Sequence, residues 1–173
     1  MARLKIFNEE AQLLNSSTKF EEIQKYLKEI DIEIQRLDSS NYDAQELQDQ
    51  YHFKAHDLMN IDKSFAQKEN FQSSREKFLK EHTHADDEVR YFISGSGLFT
   101  IHKAQKVFSI LCEAGDFINV PAHTKHWFDM GMEPEFKCLR FFNDEAGWIP
   151  EYVENSISHR FETYDEFTNL NKA

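Results

Sequence analysis

From Ser17 to about Leu37, apolar side chains fall at Phe20, Ile23, Tyr26, Leu27, Ile30, Ile34 and Leu37. This three-and-four spacing predicts an amphipathic helix, and Ser17 or Thr18 with Glu21 or Glu22 resembles a capping box at its start. A second helical stretch, as one helix or two short ones, is expected from near Asp43, carrying Leu47, Tyr51, Leu58, Ile61 and Phe65. After about Phe71 the rhythm shortens to runs rich in β-branched and aromatic residues: Lys77–Leu79, Val89–Ile93, Leu98–His102, Val107–Cys112, Phe117–Val120 and Phe136–Phe142. The intervening Ser94-Gly95-Ser96-Gly97, Glu113-Ala114-Gly115-Asp116 and Gly131-Met132-Glu133-Pro134 read as hairpin connections. The pattern predicts a mainly β fold, an antiparallel sandwich or small barrel over residues 71–147. Residues 1–70 are expected as a mainly helical extension packed on it, and 148–173 as a tail ending from Tyr164 to Ala173 in a short helix or frayed end. No internal repeat or Ser/Pro-rich linker interrupts the chain, so one domain is expected over 1–173.

Composition narrows the class. Sixteen Phe against five Gly and three Pro in 173 residues need a real core to bury them, which argues against disorder. The formal net charge of −11 repels phosphate backbones and anionic bilayers, so neither nucleic acid nor a membrane is an expected partner. Only Cys112 and Cys138 are present, which is not the pattern of a disulfide-stapled secreted module and points to a reducing compartment. The first residues reach Asn8-Glu9-Glu10 without an apolar stretch of signal-peptide length, and a cytoplasmic location is the expectation.

Candidate chemistry concentrates in Glu81-His82-Thr83-His84-Ala85-Asp86-Asp87-Glu88-Val89-Arg90. On a strand, His82 and His84 share a face, and Glu88, Arg90 and Phe92 share one. The His-x-His-x3-Glu spacing suits one metal ion, and by chance the composition produces it only about 0.04 times in a chain this long. His126 is the candidate fourth ligand, if several strands return to close the site. His123 competes with it, but three residues apart in extended backbone the two point to opposite faces, which favours His126. A closed structural zinc site is usually Cys-rich, and neither cysteine has a Cys-x-x-Cys partner. Three imidazoles and one carboxylate suit octahedral Fe(II), Ni(II) or Mn(II) with two positions open, which implies catalysis.

His82-x-His84-x3-Glu88-x6-Gly95 fits the first motif of the cupin superfamily, and Gly115-x5-Pro121 followed by His126 fits most of the second. His123 stands where that motif usually has Gly, and Met130 where it has Asn. Glu-His-Thr-His, Asp-Glu-Val-Arg-Tyr-Phe, Val-Pro-Ala-His-Thr-Lys-His-Trp-Phe-Asp-Met-Gly and Gly147-Trp148-Ile149 together resemble bacterial acireductone dioxygenases over roughly Phe78 to Trp148. The first 70 residues carry no such likeness.

The resemblance implies a cupin barrel, the double-stranded β-helix or jelly roll, with His82, His84, Glu88 and His126 holding one Fe(II) or Ni(II) per chain. It further implies an acireductone, 1,2-dihydroxy-3-keto-5-methylthiopentene, and O2 as substrates within methionine salvage. The iron form would yield formate and 2-keto-4-methylthiobutyrate, the nickel form methylthiopropionate, formate and carbon monoxide. A monomer is expected. Arg90 would stabilise the dianionic substrate, or else serve as a surface salt-bridge partner. Phe78, Phe92, Phe128 and Trp148 would wall the substrate, though each alone reads equally as core. Glu81 and Asp87 would act catalytically beside the ligands, or lie in solvent. His52, His56, His102 and His159 are read as structural or exposed. Alternative readings are another mononuclear cupin dioxygenase acting on a different enolate or thiol, and a non-enzymatic metal-binding sensor. Because imidazoles must be neutral to ligate, metal release is expected on acidification through roughly pH 6 to 5.

Overall fold

The structure is a computed structural model that describes residues 3–144 and 148–169. Its elements run β1 (Leu4–Asn8), β2 (Leu13–Ser17), α1 (Phe20–Lys28), β3 (Glu33–Arg36), α2 (Ala44–Gln50), β4 (Ala55–Ile61) and α3 (Phe71–Leu79). There follow β5 (His82–Thr83), β6 (Glu88–Lys103), β7 (Lys106–Glu113), β8 (Asp116–Val120), β9 (Lys125–Asp129), β10 (Phe136–Phe142), β11 (Glu151–Tyr152) and α4 (Tyr164–Thr168). All pairings are antiparallel.

One strand organises both sheets. The first half of β6 pairs with β8 and β10, and its second half with β7 and β9. One sheet therefore runs β11-β5-β9-β6-β7-β1-β2 and the other β4-β10-β6-β8-β3. β6 changes sheets at Gly95, where φ is 70° and an added Cβ would collide with the Glu135 carbonyl. Ser94–Gly97 is thus a bend inside one strand, not the expected hairpin. The hairpin after β6 turns at Ala104-Gln105, both left-handed at φ 55° and 59°, the conformation a two-residue turn demands. The turns at 113–116 and 131–134 carry the chain from one sheet to the other rather than joining paired strands. Phe92, Phe99, Ile110, Ile118, Phe128 and Phe136 fill the space between the sheets.

The first 70 residues depart from expectation. Asp31, at φ 63°, ends the helical backbone, and Ile30, Ile32 and Ile34 bury every second side chain, the period of a strand. Both spacings coexist in that stretch, and pairing with β8 selects the strand. The helix begins at Phe20 and its N-cap, Lys19, makes no side-chain cap bond, so the expected capping box does not form. Beyond α2, His52 at φ 61° likewise turns the chain into β4, which pairs with β10 along its whole length. The extension therefore adds strands to both sheets, while its helix α1 packs Ile23 and Leu27 into the core. Lys77–Leu79, expected as a strand, closes helix α3. At the other end Thr163 and Glu166 form a reciprocal capping box on α4, and residues 170–173 lie outside the described residues. Among the described residues no helix is long and apolar enough to cross a membrane.

Candidate metal centre

His82 on β5 sits directly opposite His126 on β9, and β9 in turn pairs with β6, which begins at Glu88. His84 follows β5 by one residue. The three imidazole centroids lie 4.6–4.8 Å apart, and one donor atom from each of His82, His84, Glu88 and His126 falls within 4.8 Å of all the others. All four residues are buried. Donors about 2.1 Å from a common ion stand about 3 to 4 Å apart, so the cluster has the dimensions of a single site.

Protons and lone pairs in the cluster do not balance without a cation. His82 Nδ1 lies 2.6 Å from the Lys80 carbonyl and His126 Nδ1 lies 2.8 Å from the Thr124 carbonyl. Those carbonyls only accept, so each ring places its proton on Nδ1 and presents Nε2 as a lone pair. Yet His126 Nε2 is 2.7 Å from Glu88 Oε2, acceptor against acceptor, and either a second proton or a metal must stand between them. The donor set fits a metal.

Burial and the neighbouring imidazoles pull His84 down to about 4, burial opposed by Glu88 being the leading cause. Burial also lowers His82, with His126 adding to it. Glu88 is pushed upward by burial, but Arg90 and His126 outweigh this and hold it well below the usual carboxylate range. Among the ligands, His82 and His84 are thus held neutral and Glu88 ionised. Desolvation opposes protonation of His82 and His84, so both stay neutral to lower pH than an unperturbed imidazole.

The four donors line a cavity of about 570 Å³. Arg90, 1% exposed, donates from Nε to Glu88 Oε1 at 2.9 Å, and its guanidinium carbon lies 4.4 Å from the Phe128 ring and 5.4 Å from Trp148. It is therefore an interior cation rather than a surface one. Phe78, Phe128 and Trp148 line the cavity, and Trp148 stacks at 12° on His84. Phe92 does not line it: on the same inward face as Glu88 and Arg90 it lies one strand step deeper, in the core against Phe136.

Glu81 is buried but faces away from the cavity. Its carboxylate contacts His102 Nδ1 at 2.5 Å and accepts from the Ile157 amide at 3.1 Å. His102 also bonds Glu9 at 2.8 Å, so this histidine bridges two carboxylates. Asp87 accepts from the Ala122 amide and takes the Trp148 indole N–H on its carbonyl. Glu81 and Asp87 thus hold backbone around the site instead of entering it. His123 stands in the turn before β9 at φ 64°, not in extended backbone, and its amide donates to the His84 carbonyl. His52, His56 and His159 lie outside the cluster. Gly147, part of the sequence motif, lies outside the described residues.

Sequence reasoning missed Asp57, Lys77, Arg140, Phe142, Pro150 and Tyr152, all on the cavity wall. Arg140 had a legible signal, a charged residue within the apolar run Phe136–Phe142. Asp57 had none, since β4 was read as helix.

A family model described as ARD/ARD' family matches residues 3–150. The chain belongs to that family. The acireductone dioxygenase of Aquifex aeolicus (strain VF5) is 37% identical over 98% of this chain and 100% of its own length. That of Hydrogenobaculum sp. (strain Y04AAS1) is 36% identical with the same coverage. The solved acireductone dioxygenase from Bacillus anthracis superposes with a TM-score of 0.72 at 25% identity, covering 88% of this chain and 99% of that one. That structure carries a cadmium ion in its active centre. As an ARD-family member the chain is a cupin and a dioxygenase, hence an oxidoreductase, and its His82, His84, Glu88, His126 cluster fits a single metal.

Proposed function

We propose that this chain holds one Fe(II) or Ni(II) on His82, His84, Glu88 and His126 and cleaves 1,2-dihydroxy-3-keto-5-methylthiopentene with O2. The iron form gives formate and 2-keto-4-methylthiobutyrate, and the nickel form gives methylthiopropionate, formate and carbon monoxide. The activity belongs to methionine salvage, and a cytoplasmic monomer is the form the sequence favours. The observation that carries the reading is the meeting of four buried donors and the Arg90 guanidinium in one cavity lined by aromatics, in a chain of this family.

The bound ion supplies Lewis acidity toward the oxygens of an ionised enediol. The protein supplies the remainder. Arg90, permanently cationic and fixed by Glu88 and three aromatic faces, counters the negative charge of the enediolate. Phe78, Phe128 and Trp148 exclude water and receive the methylthioalkyl tail. Glu81 and Asp87 position the segments that carry Trp148 and the histidines, as their backbone contacts suggest.

Turnover tests this directly. Acireductone should disappear with O2 uptake in the iron-loaded protein, with formate and the keto acid as products, and with carbon monoxide from the nickel-loaded protein. No consumption by either form would contradict the reading. Arg90→Ala should retain its metal and lose about a hundredfold or more in kcat/KM, and full activity in that variant would remove Arg90 from the mechanism.

A further inference from the structure

The row of residues across β4, β10 and β6 places Asp57 directly opposite Arg140, and Arg140 directly opposite Arg90. Two guanidinium groups as cross-strand neighbours repel each other, so the arrangement is costly unless anions serve each of them. Glu88 serves Arg90. Asp57 serves Arg140 with a two-point grip, Nε to Oδ1 at 2.8 Å and Nη2 to Oδ2 at 2.5 Å. Both guanidinium carbons stand over the same Trp148 ring, at 5.4 and 5.5 Å, and both arginines line the cavity. The charges of Asp57, Glu88, Arg90 and Arg140 cancel, and Lys77 on the same wall adds one positive charge. A divalent ion would leave the cavity net positive, the complement of an anion.

From this geometry we infer that Arg140 is a second cationic contact for the anionic substrate, and that Asp57, contributed by the amino-terminal strand β4, is the positioning residue that aims it. The inference rests on the reading of the substrate as an ionised enediol. A guanidinium gripped along its Nε–Nη2 edge has the direction of its Nη1 protons fixed, which is what bidentate pairing provides over a point charge. The side chain of Asp57 is 44% exposed, so its own charge is well screened. The directional grip should therefore outweigh any gain in positive potential when the carboxylate is removed.

Oxalate, a dianion that offers two oxygens, is the probe for equilibrium binding to the metal-loaded protein, in a cycle of wild type, Asp57→Ala, Arg140→Gln and the double variant. Asp57→Ala should weaken oxalate about fivefold and raise KM for acireductone similarly, with kcat changed less than about twofold. In the Arg140→Gln background Asp57→Ala should have no further effect, and metal content should be equal in all four proteins. Unchanged or tighter oxalate binding in Asp57→Ala overturns the inference, as does an equal loss in both backgrounds. Loss of metal in Asp57→Ala also overturns it, because Asp57 would then act on the donor cluster. If the cycle holds with oxalate while wild type fails to consume acireductone, the substrate reading falls and the anion contact stands.

Discussion

The two faces of β9 each carry a buried charge cluster, and the clusters differ in how their hydrogen bonds add up. On one face Asp129 meets Arg75 of α3 at 2.8 and 2.9 Å and also accepts from the amides of Gly131 and Tyr164. Four donors meet two carboxylate oxygens, and nothing is left over. On the opposite face His126 presents a lone pair to Glu88 beside His82 and His84, and the contact closes only with a second proton on the ring or a metal ion. Buried charge alone does not mark a site. An imbalance between buried donors and acceptors does, because each unmatched group would otherwise cost its full desolvation.

Breaking the satisfied cluster should produce the larger loss of stability. Asp129→Ala leaves buried Arg75 with only its longer 3.4 Å contact to Asp165 and should cost about 3 kcal/mol in urea unfolding, while the chains that remain folded still bind metal. A cost below about 1 kcal/mol would erase the distinction between the two faces.

The unbalanced cluster should appear instead as a dependence on pH. Because His84 has a folded pKa below its unfolded value, its contribution is fully present above about pH 6.5 and is lost as pH falls toward 4. The metal-free protein should lose on the order of 3 kcal/mol across that window, and His84→Gln should flatten the curve. His82 and Glu88, both lowered, act in the same direction. An unaltered slope in His84→Gln would show that the acid sensitivity lies elsewhere.

A smaller effect of opposite sign belongs to His102, which Glu81 holds above its ordinary value. Its contribution is present below about pH 6.5 and fades as pH rises through the folded value. His102→Gln should cost about 1 kcal/mol at pH 6 and less at pH 9, measured by thermal unfolding at both. An equal cost at the two values would remove the charge from that contact.

The barrel half of the molecule was legible because its apolar runs are rich in β-branched and aromatic residues and carry a spacing that joins three ligands within seven positions, although Ser94–Gly97 hid that two of those runs are one strand. His126 was legible as a type and a motif position, although only the return of β9 beside β5 explains why it meets the others. The amino-terminal 70 residues misled because Phe20, Ile23, Leu27, Ile30 and Ile34 satisfy a helical period while Ile30, Ile32 and Ile34 satisfy a strand period. A left-handed residue, Asp31, decides between them, and aspartate carries only a weak signal for that conformation. The same error hid Asp57, since a residue on a helix face has no assigned neighbour in a sheet. Phe92 misled in the opposite way: it shares the inward face with Arg90, but face alone does not fix depth along a barrel.

Metal stoichiometry tests the central claim most directly. Protein reconstituted with Fe(II) or Ni(II) at neutral pH and freed of loosely held ions should carry about one ion per chain, whereas His84→Ala and His126→Ala should each carry less than about a tenth of that. A full complement of metal in the His126 variant would mean that the strands do not bring these four side chains to a common ion, and the account would fail there.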